Sequence, residues 1–238
     1  MTFIGLDLSG LIGAVIVGGI VLGVGGWPGA AVLFAFFIPS TLLSRLGRAR
    51  KRALVDIAKT GARDGWQVAA NGGVAAVAML LSIRFGAPML AAFAGAFAAA
   101  SADTWGTEIG TLVRGEPRNI LNLRRIPTGL SGGVTWQGTL AQCAGAVFVA
   151  AIAASLHVAP FLTVAIAGFC GALVDSILGA SAQALLYCPA CERDCETNPH
   201  HCGAETIRRR GFGWLENDAV NFAATLSGAL VALAIYAL

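Results

Sequence analysis

The sequence predicts an all-α protein, a polytopic bundle of about seven transmembrane helices, and its composition carries this prediction. Of the 238 residues, 56% are apolar and 12% are charged, whereas a soluble domain has about 25% charged residues. A soluble protein of this length could not cover its surface with so few charges. The same composition excludes a disordered chain. The formal net charge of +3 is small, so we expect no nucleic-acid partner.

Long apolar runs make up most of the chain, and a membrane-spanning helix requires about 20 residues. The seven predicted spans are residues 3–24, 30–46, 66–83, 88–102, 134–156, 160–186 and 219–238. The fourth run is short, and its helix can extend past Asp103. No basic stretch precedes the first run, so we expect no cleaved signal peptide. The chain is therefore interpreted as one transmembrane domain, residues 1–238.

Basic residues are concentrated in three of the six connections between these runs. Seven lie in 45–63, four in 114–125 and four in 193–210, whereas the other three connections hold only Arg84. The positive-inside rule places the basic connections in the cytoplasm. The predicted cytoplasmic loops are 47–65, 103–133 and 187–217, with the N-terminus inside and the C-terminus outside.

Four acidic residues at or near the predicted cytoplasmic helix ends are candidates for catalysis and metal binding. On a helix, Asp103 and Glu108 lie about one turn apart, with the Thr107 hydroxyl between them. Such an arrangement suits a hard cation such as Mg²⁺, and a buried carboxylate pair without a cation would repel. The alternative is an anchor at the membrane edge. Asp175 and Asp218 complete the set, because a carboxylate in a span is a functional candidate.

A second polar cluster precedes and enters the third predicted span. Asp64, Gln67 and Asn71 share one helix face at spacings i, i+3 and i+7. Asp64 alone could cap the helix, but capping does not explain two further polar side chains that point the same way into a membrane. At the last span, Asn217 and Asn221 flank Asp218. All these residues share one side of the membrane and could converge on one cavity.

A Gly/Ser-rich loop directly before the fifth span predicts a phosphate site. Ser131, Gly132 and Gly133 would let backbone N–H groups approach an anion at a helix N-terminus. Arg124 and Arg125, just upstream, could pair with phosphate. The loop is not a Walker A motif, because it lacks the lysine and the spacing.

Four of the six cysteines cluster near two histidines in the predicted loop 187–217. Cys188, Cys191 and Cys202 have a spacing typical of a structural zinc site. Cys195, His200 and His201 are all candidates for the fourth ligand, and the choice stays open. Free thiols are the main alternative, and disulfides are disfavoured in the cytoplasm.

Seven groups of residues together form a specific pattern over nearly the whole chain. They are Gly47-Arg48-Ala49-Arg50-Lys51; Arg63-Asp64-Gly65-Trp66-Gln67-Val68 with Asn71-Gly72-Gly73; Ala102-Asp103-Thr104-Trp105 with Glu108-Ile109-Gly110; Gly129 with Ser131-Gly132-Gly133-Val134-Thr135; Asp175-Ser176 with Gly179-Ala180; His201-Cys202-Gly203; and Trp214 with Asn217-Asp218 and Asn221. With this pattern the chain resembles a family of integral membrane proteins long described only as a domain of unknown function. Its plant chloroplast members are phytyl-phosphate kinases of tocopherol synthesis.

The resemblance implies phosphoryl transfer from a nucleoside triphosphate, with CTP expected, to an isoprenoid monophosphate such as phytyl or geranylgeranyl phosphate. The four acidic residues named above would hold Mg²⁺, and the Ser131 loop with Arg124 and Arg125 would hold phosphates. Asp64, Gln67 and Asn71 could contact metal or nucleotide, and the two asparagines beside Asp218 would orient carboxylates. The active site would face the cytoplasm.

Two other functions share some of these features. A transporter also needs polar residues within spans, but it needs them at both membrane faces, and the predicted outer half is nearly bare. A CTP-dependent cytidylyltransferase shares the Mg²⁺ and nucleotide chemistry and differs in the bond that breaks.

Overall fold

The computed structural model describes residues 5–46, 62–113 and 115–238. These residues form six α-helices: α1 (Leu8–Arg45), α2 (Gly65–Phe85), α3 (Ala87–Leu112), α4 (Trp136–Ser155), α5 (Phe161–Ser181) and α6 (Asn217–Tyr236). Among them, all but α3 are long and apolar enough to cross a membrane by length and composition. The mainly helical membrane fold is thus confirmed, whereas the count of seven spans stays a prediction.

Helix α1 is bent back on itself at Gly26, which has φ 58° and ψ −154°, a backbone conformation that favours glycine. A straight helix of 38 residues would be about 57 Å long. Instead, both ends of α1 reach the same residue. The backbone N–H of Asp7 donates to the Arg63 carbonyl over 3.1 Å, and the Arg63 guanidinium donates to Ser44 Oγ over 3.1 Å. The two halves of α1 are therefore antiparallel, and they correspond to the first two predicted spans.

Helix α3 lies at the centre of the bundle, and every residue from 91 to 102 is buried. It packs against all five other helices. Small residues make the contacts close. A Cβ atom added at Gly95 would lie 2.7 Å from the Gly228 carbonyl oxygen of α6, and one added at Gly228 would lie 2.7 Å from that of Gly95. These glycines let the two backbones approach, as small residues do in membrane helices.

The C-terminal part of α3 corrects one prediction. The predicted loop 103–133 begins too early, because the helix extends past Asp103, as the short fourth run allows, and continues to Leu112. The apolar run ends at residue 102 because the side chains beyond it face a cavity and not lipid, so the loss of apolar character does not end the helix. Thr104 Oγ1 donates to the Ala100 carbonyl within the helix over 2.8 Å, which satisfies its hydroxyl there.

The connections differ in length between the two ends of the bundle. Gly86 alone joins α2 to α3, and residues 156–160 join α4 to α5. The long connections lie at the opposite end. One contains β1 (Arg118–Asn119) paired antiparallel with β2 (Gly133–Val134). Another contains β3 (Leu185–Cys188), β4 (Arg193–Cys195) and β5 (Ile207–Arg210), in the antiparallel order β4-β3-β5. The predicted loop 47–65 lies mostly outside the described residues.

Three exposed tryptophans mark the end with the long connections. Trp66, Trp136 and Trp214 are 79%, 71% and 74% exposed, and they lie at or just before the starts of α2, α4 and α6. Tryptophan is enriched at membrane–water interfaces, where its apolar ring and its N–H meet different surroundings. We therefore place a membrane interface at this end of the bundle.

Candidate functional site

A cavity of about 1230 Å³ opens at the end of the bundle with the long connections. Residues from all six helices and from the connections line it. Eleven residues that the sequence singles out are among them: Gln67, Asn71, Asp103, Glu108, Ser131, Gly132, Gly133, Asp175, Asn217, Asp218 and Asn221. The structure thus brings together side chains that the sequence placed only on one side of the membrane.

Two of the four acidic residues touch each other across a helix pair. The carboxyl groups of Asp103 on α3 and Asp175 on α5 lie close enough to interact directly. Small residues make this possible, because Gly168 and Gly171 of α5 pack directly against Ala98 and Ala99 of α3. Two ionised carboxylates in contact repel unless a proton or a cation lies between them. The pair therefore fits a divalent cation chemically.

The other two acidic residues line the same cavity from different directions. Glu108 lies further along α3, and Asp218 lies in the first turn of α6 beside Asn217. Four carboxylates from three helices thus face one space. Among the described residues no three of these carboxylates lie within 4.8 Å of one another, so a hard cation, which prefers several oxygen ligands, would have to draw them together on binding.

The Ser131 loop already binds an anion, the side chain of Glu196. The Glu196 carboxylate accepts from the Ser131 backbone N–H over 2.7 Å and from Ser131 Oγ over 2.9 Å. Gln183 Nε2 also donates to Ser131 Oγ, over 2.9 Å. All three residues line the cavity. The loop therefore has the donor geometry for an acidic oxygen pair, as a phosphate site requires.

Gly132 holds this loop against the end of α5. Its φ is +78°, and a Cβ atom there would collide with the backbone of Ala180. A Cβ at Gly179 would likewise lie 2.7 Å from the Gly132 nitrogen. The glycines at these positions are thus required for close approach of loop and helix, and this approach fixes Ser131 at the cavity.

Neither Glu196 nor Gln183 stands out in the sequence. Glu196 lies in a charged segment that resembles any exposed loop, and no local pattern indicates its contact with a residue 65 positions earlier. Burial raises the pKa of Glu196 to about 7, although the hydrogen bonds from Ser131 and the charge of Arg210 favour its ionised form. Arg210 itself donates to the Gly179 carbonyl over 2.8 Å, at the negative end of the α5 dipole.

The basic residues at the cavity are not the pair that the sequence suggested. In the described part of the chain, Arg45, Arg63 and Arg208 line the cavity, and Arg124 and Arg125 do not.

The reason for this difference is a tight turn. Arg118 and Arg125 form an antiparallel bridge, and residues 121–125 of the turn that it closes are exposed. Arg125 pairs with Glu116 at 2.9 Å, with 67% and 65% of the two side chains exposed. Proximity to the Ser131 loop in sequence therefore did not mean proximity to the cavity.

Asp64 has the capping role that the sequence allowed, and its contact with metal or nucleotide stays a prediction. Its carboxylate accepts from the Gln67 backbone N–H over 2.9 Å, so Asp64 caps the N-terminus of α2. Among the described residues that line the cavity, Gln67 and Asn71 are present and Asp64 is not.

Comparisons with known proteins match nearly the whole chain. The sequence model of the family described as "Integral membrane protein DUF92" matches residues 2–229. Protein PGR of Arabidopsis thaliana is 30% identical over 93% of this chain and 85% of its own length. An uncharacterized membrane protein of Methanocaldococcus jannaschii is 30% identical over 97% of this chain and 86% of its own.

Another relative is named for the chloroplast. Protein VTE6, chloroplastic, of Arabidopsis thaliana is 25% identical over 96% of this chain and 65% of its own length. No solved structure shows a significant match.

Proposed function

The chain belongs to the integral membrane protein family DUF92, and we propose that it is a membrane-embedded lipid kinase. It transfers a phosphoryl group from a nucleoside triphosphate, CTP in our proposal, to an isoprenoid monophosphate such as phytyl or geranylgeranyl phosphate. The product is the diphosphate. The observation that supports the proposal is one cavity whose lining includes four carboxylates and the Ser131 loop with its hydrogen-bond donors.

The reaction needs positioning and charge neutralisation more than covalent chemistry by the protein. An oxygen of the acceptor phosphate attacks the γ-phosphorus, the bond from the γ-phosphorus to the β–γ bridging oxygen breaks, and CDP leaves. The acceptor phosphate is already ionised, so no side chain needs to act as a strong base. Asp103, Glu108, Asp175 and Asp218 would hold Mg²⁺, which when bound neutralises charge on the triphosphate oxygens.

The phosphate groups have candidate partners on two sides of the cavity. The Ser131 backbone N–H and hydroxyl, which hold the Glu196 carboxylate, would hold a phosphate once Glu196 moves aside. Arg45, Arg63 and Arg208 supply positive charge for charge-assisted hydrogen bonds. Gln67, Asn71, Asn217 and Asn221 would orient the nucleotide and the carboxylates.

The cavity also has an apolar part that suits a prenyl chain. Val17, Leu33, Phe36, Phe37 and Phe97 line it together with the polar groups. The rings of Phe36 and Phe97 are stacked, with centroids 5.6 Å apart. A substrate with a charged head and an apolar tail would satisfy both parts. We propose that the charged part faces the cytoplasm, in agreement with the distribution of basic residues.

The experiment is an assay of the protein purified in detergent or nanodiscs, with Mg²⁺ and with nucleotide donors and prenyl phosphates varied together. We expect prenyl diphosphate and CDP from CTP. Release of pyrophosphate with a cytidylylated lipid would identify a cytidylyltransferase instead. Absence of product with every pair, together with solute flux in proteoliposomes, would identify a transporter and contradict the proposal.

A further inference from the structure

A second group of reactive side chains lies outside the cavity. The sulfur atoms of Cys188, Cys191 and Cys202 and a ring nitrogen of His200 all lie within 4.8 Å of one another. Cys188 and His200 are buried, with 0% and 1% of their surface exposed. The four residues lie at the tip of the β4-β3-β5 sheet, and they are not among the described residues that line the cavity. The group therefore has no part in the site described above.

The distances within the group fit a tetrahedral metal ion. Cys188 Sγ and Cys202 Sγ are 3.6 Å apart, and His200 Nδ1 is 3.1 Å from Cys202 Sγ. A zinc ion with sulfur ligands at about 2.3 Å in tetrahedral geometry separates two sulfurs by about 3.8 Å. A disulfide would bring them to about 2.05 Å. The spacing is therefore that of ligands around an ion.

The geometry also selects the fourth ligand among the three candidates. Cys195 Sγ lies 3.9 Å from the Thr197 carbonyl oxygen and is not part of the group. His201 Nδ1 lies 3.2 Å from His200 Nε2, so His201 faces the outer nitrogen of His200. This leaves His200 Nδ1 for the metal, with the Nε2–H donating to His201. A metal-bound histidine commonly donates its other N–H to such a partner, which fixes its orientation.

We propose that Cys188, Cys191, His200 through Nδ1, and Cys202 bind one structural zinc ion. Two short stretches supply the ligands, Cys188-x-x-Cys191 at the β3–β4 turn and His200-x-Cys202 in the turn before β5. The ion thus ties together the segment that carries Glu196 to the Ser131 loop. Because a closed set of four protein ligands leaves no position for substrate, the ion supports the segment and takes no part in chemistry. The proposal does not depend on the proposed kinase activity.

The first experiment measures metal directly. The full-length protein is purified in detergent without chelators, and its zinc content is determined by mass spectrometry. We expect about one zinc per chain, and a loss of affinity of at least about 10-fold in Cys191→Ser and His200→Asn. Cys195→Ser is the matched control, since it changes a buried cysteine of the same segment that is not a ligand, and it should keep the zinc.

The wild-type protein supplies a second readout that needs no variant. Chelation should make three further thiols reactive and should raise hydrogen exchange of backbone amides in residues 185–210 and at Ser131. Three results would overturn the proposal: wild-type protein without zinc after growth in zinc-containing medium, equal zinc loss in Cys195→Ser and Cys191→Ser, or a Cys188–Cys202 disulfide in peptide mapping. Unchanged exchange after zinc removal would overturn the structural role.

Discussion

The Glu196 carboxylate accepts two hydrogen bonds from Ser131, one from the backbone N–H over 2.7 Å and one from Oγ over 2.9 Å. Ser131 belongs to the loop between α3 and α4, and Glu196 follows β4 in the next long connection. Two loops that are far apart in the sequence are thus joined at the cavity, because the carboxylate of one accepts hydrogen bonds from the candidate phosphate-binding loop. In the proposed function, Glu196 occupies the position of a substrate phosphate.

The first prediction concerns this competition. Above the Glu196 pKa of about 7, where its carboxylate is ionised, Glu196→Gln should strengthen binding of CTP or inorganic pyrophosphate by about 3- to 10-fold, because a neutral amide no longer repels an incoming phosphate and holds Ser131 less strongly. The dissociation constants can be measured by calorimetry. Glu192→Gln removes the same charge from an exposed position in the same segment and serves as the control. Equal or weaker binding in Glu196→Gln would show that Glu196 does not compete with phosphate.

The second prediction concerns pH and stability. The pKa of Glu196 in the folded protein is raised to about 7 from its ordinary value of 4.5, chiefly by burial, so the folded state binds the proton more tightly than the unfolded state. The resulting stabilisation is fully present below pH 4.5 and is lost as the pH rises through 7.

Melting temperatures in detergent at about pH 5.5 and about pH 8 test this loss of stability with rising pH. The wild type should lose several degrees more than Glu196→Gln over this range, since the glutamine does not titrate. An identical pH dependence of the two proteins would contradict the raised pKa of Glu196.

The third prediction concerns the arginines of the cavity. Arg208→Gln should raise the KM for the nucleotide about 10-fold, because Arg208 lines the cavity and a charge-assisted hydrogen bond contributes about 1.5–3 kcal/mol. The neighbouring Arg209 pairs with Asp194 at 3.0 Å and stacks on Tyr187. Arg209→Gln is therefore the matched control and should leave the KM unchanged. A larger increase in KM for Arg209→Gln than for Arg208→Gln would show that the nucleotide does not bind at Arg208.

The fourth prediction concerns packing at the crossing of α3 and α6. Gly228→Ala should destabilise the protein by about 1–3 kcal/mol, because the added Cβ would lie 2.7 Å from the Gly95 carbonyl oxygen and 2.8 Å from Ala99 Cβ. Gly18→Ala adds the same methyl group where nothing lies within 4 Å, and it should be neutral or stabilising. Thermal unfolding in detergent compares them. Equal melting temperatures would contradict the close crossing.

The membrane helices were predictable because a bilayer imposes one requirement on every span, a long apolar run with its backbone groups paired. The bend of α1 was also predictable, because Gly26 lies in the short connection, residues 25–29, between the first two predicted spans. The sequence allowed α3 to extend past Asp103 but did not predict how far, because Asp103 and Glu108 face a cavity that forms only when six helices pack together. A run of polar residues therefore ended the predicted span ten residues before the helix ends.

The grouping of candidate residues was predictable where one helix or loop carries them. Asp103 and Glu108 share a helix, and the glycines mark the Ser131 loop. The sequence could not predict which side chains of different helices and loops contact one another. The pairing of Asp103 with Asp175 depends on how closely α3 and α5 pack, and the Glu196–Ser131 contact spans two loops. The turn closed by the Arg118–Arg125 bridge shows that closeness in sequence does not ensure contact. Arg124 and Arg125 precede the Ser131 loop but do not line its cavity.

The most direct test of the central claim follows the label from CTP radiolabelled at its γ-phosphate into prenyl diphosphate. Wild-type protein should transfer it, and Asp103→Asn should reduce transfer by about 100-fold or more, because it removes one of the two carboxylates in contact at the cavity. Asp7→Asn makes the same change at the N-cap of α1, where asparagine caps equally well, and should transfer label normally. Normal transfer by Asp103→Asn, or none by the wild type with any prenyl phosphate, would contradict the account.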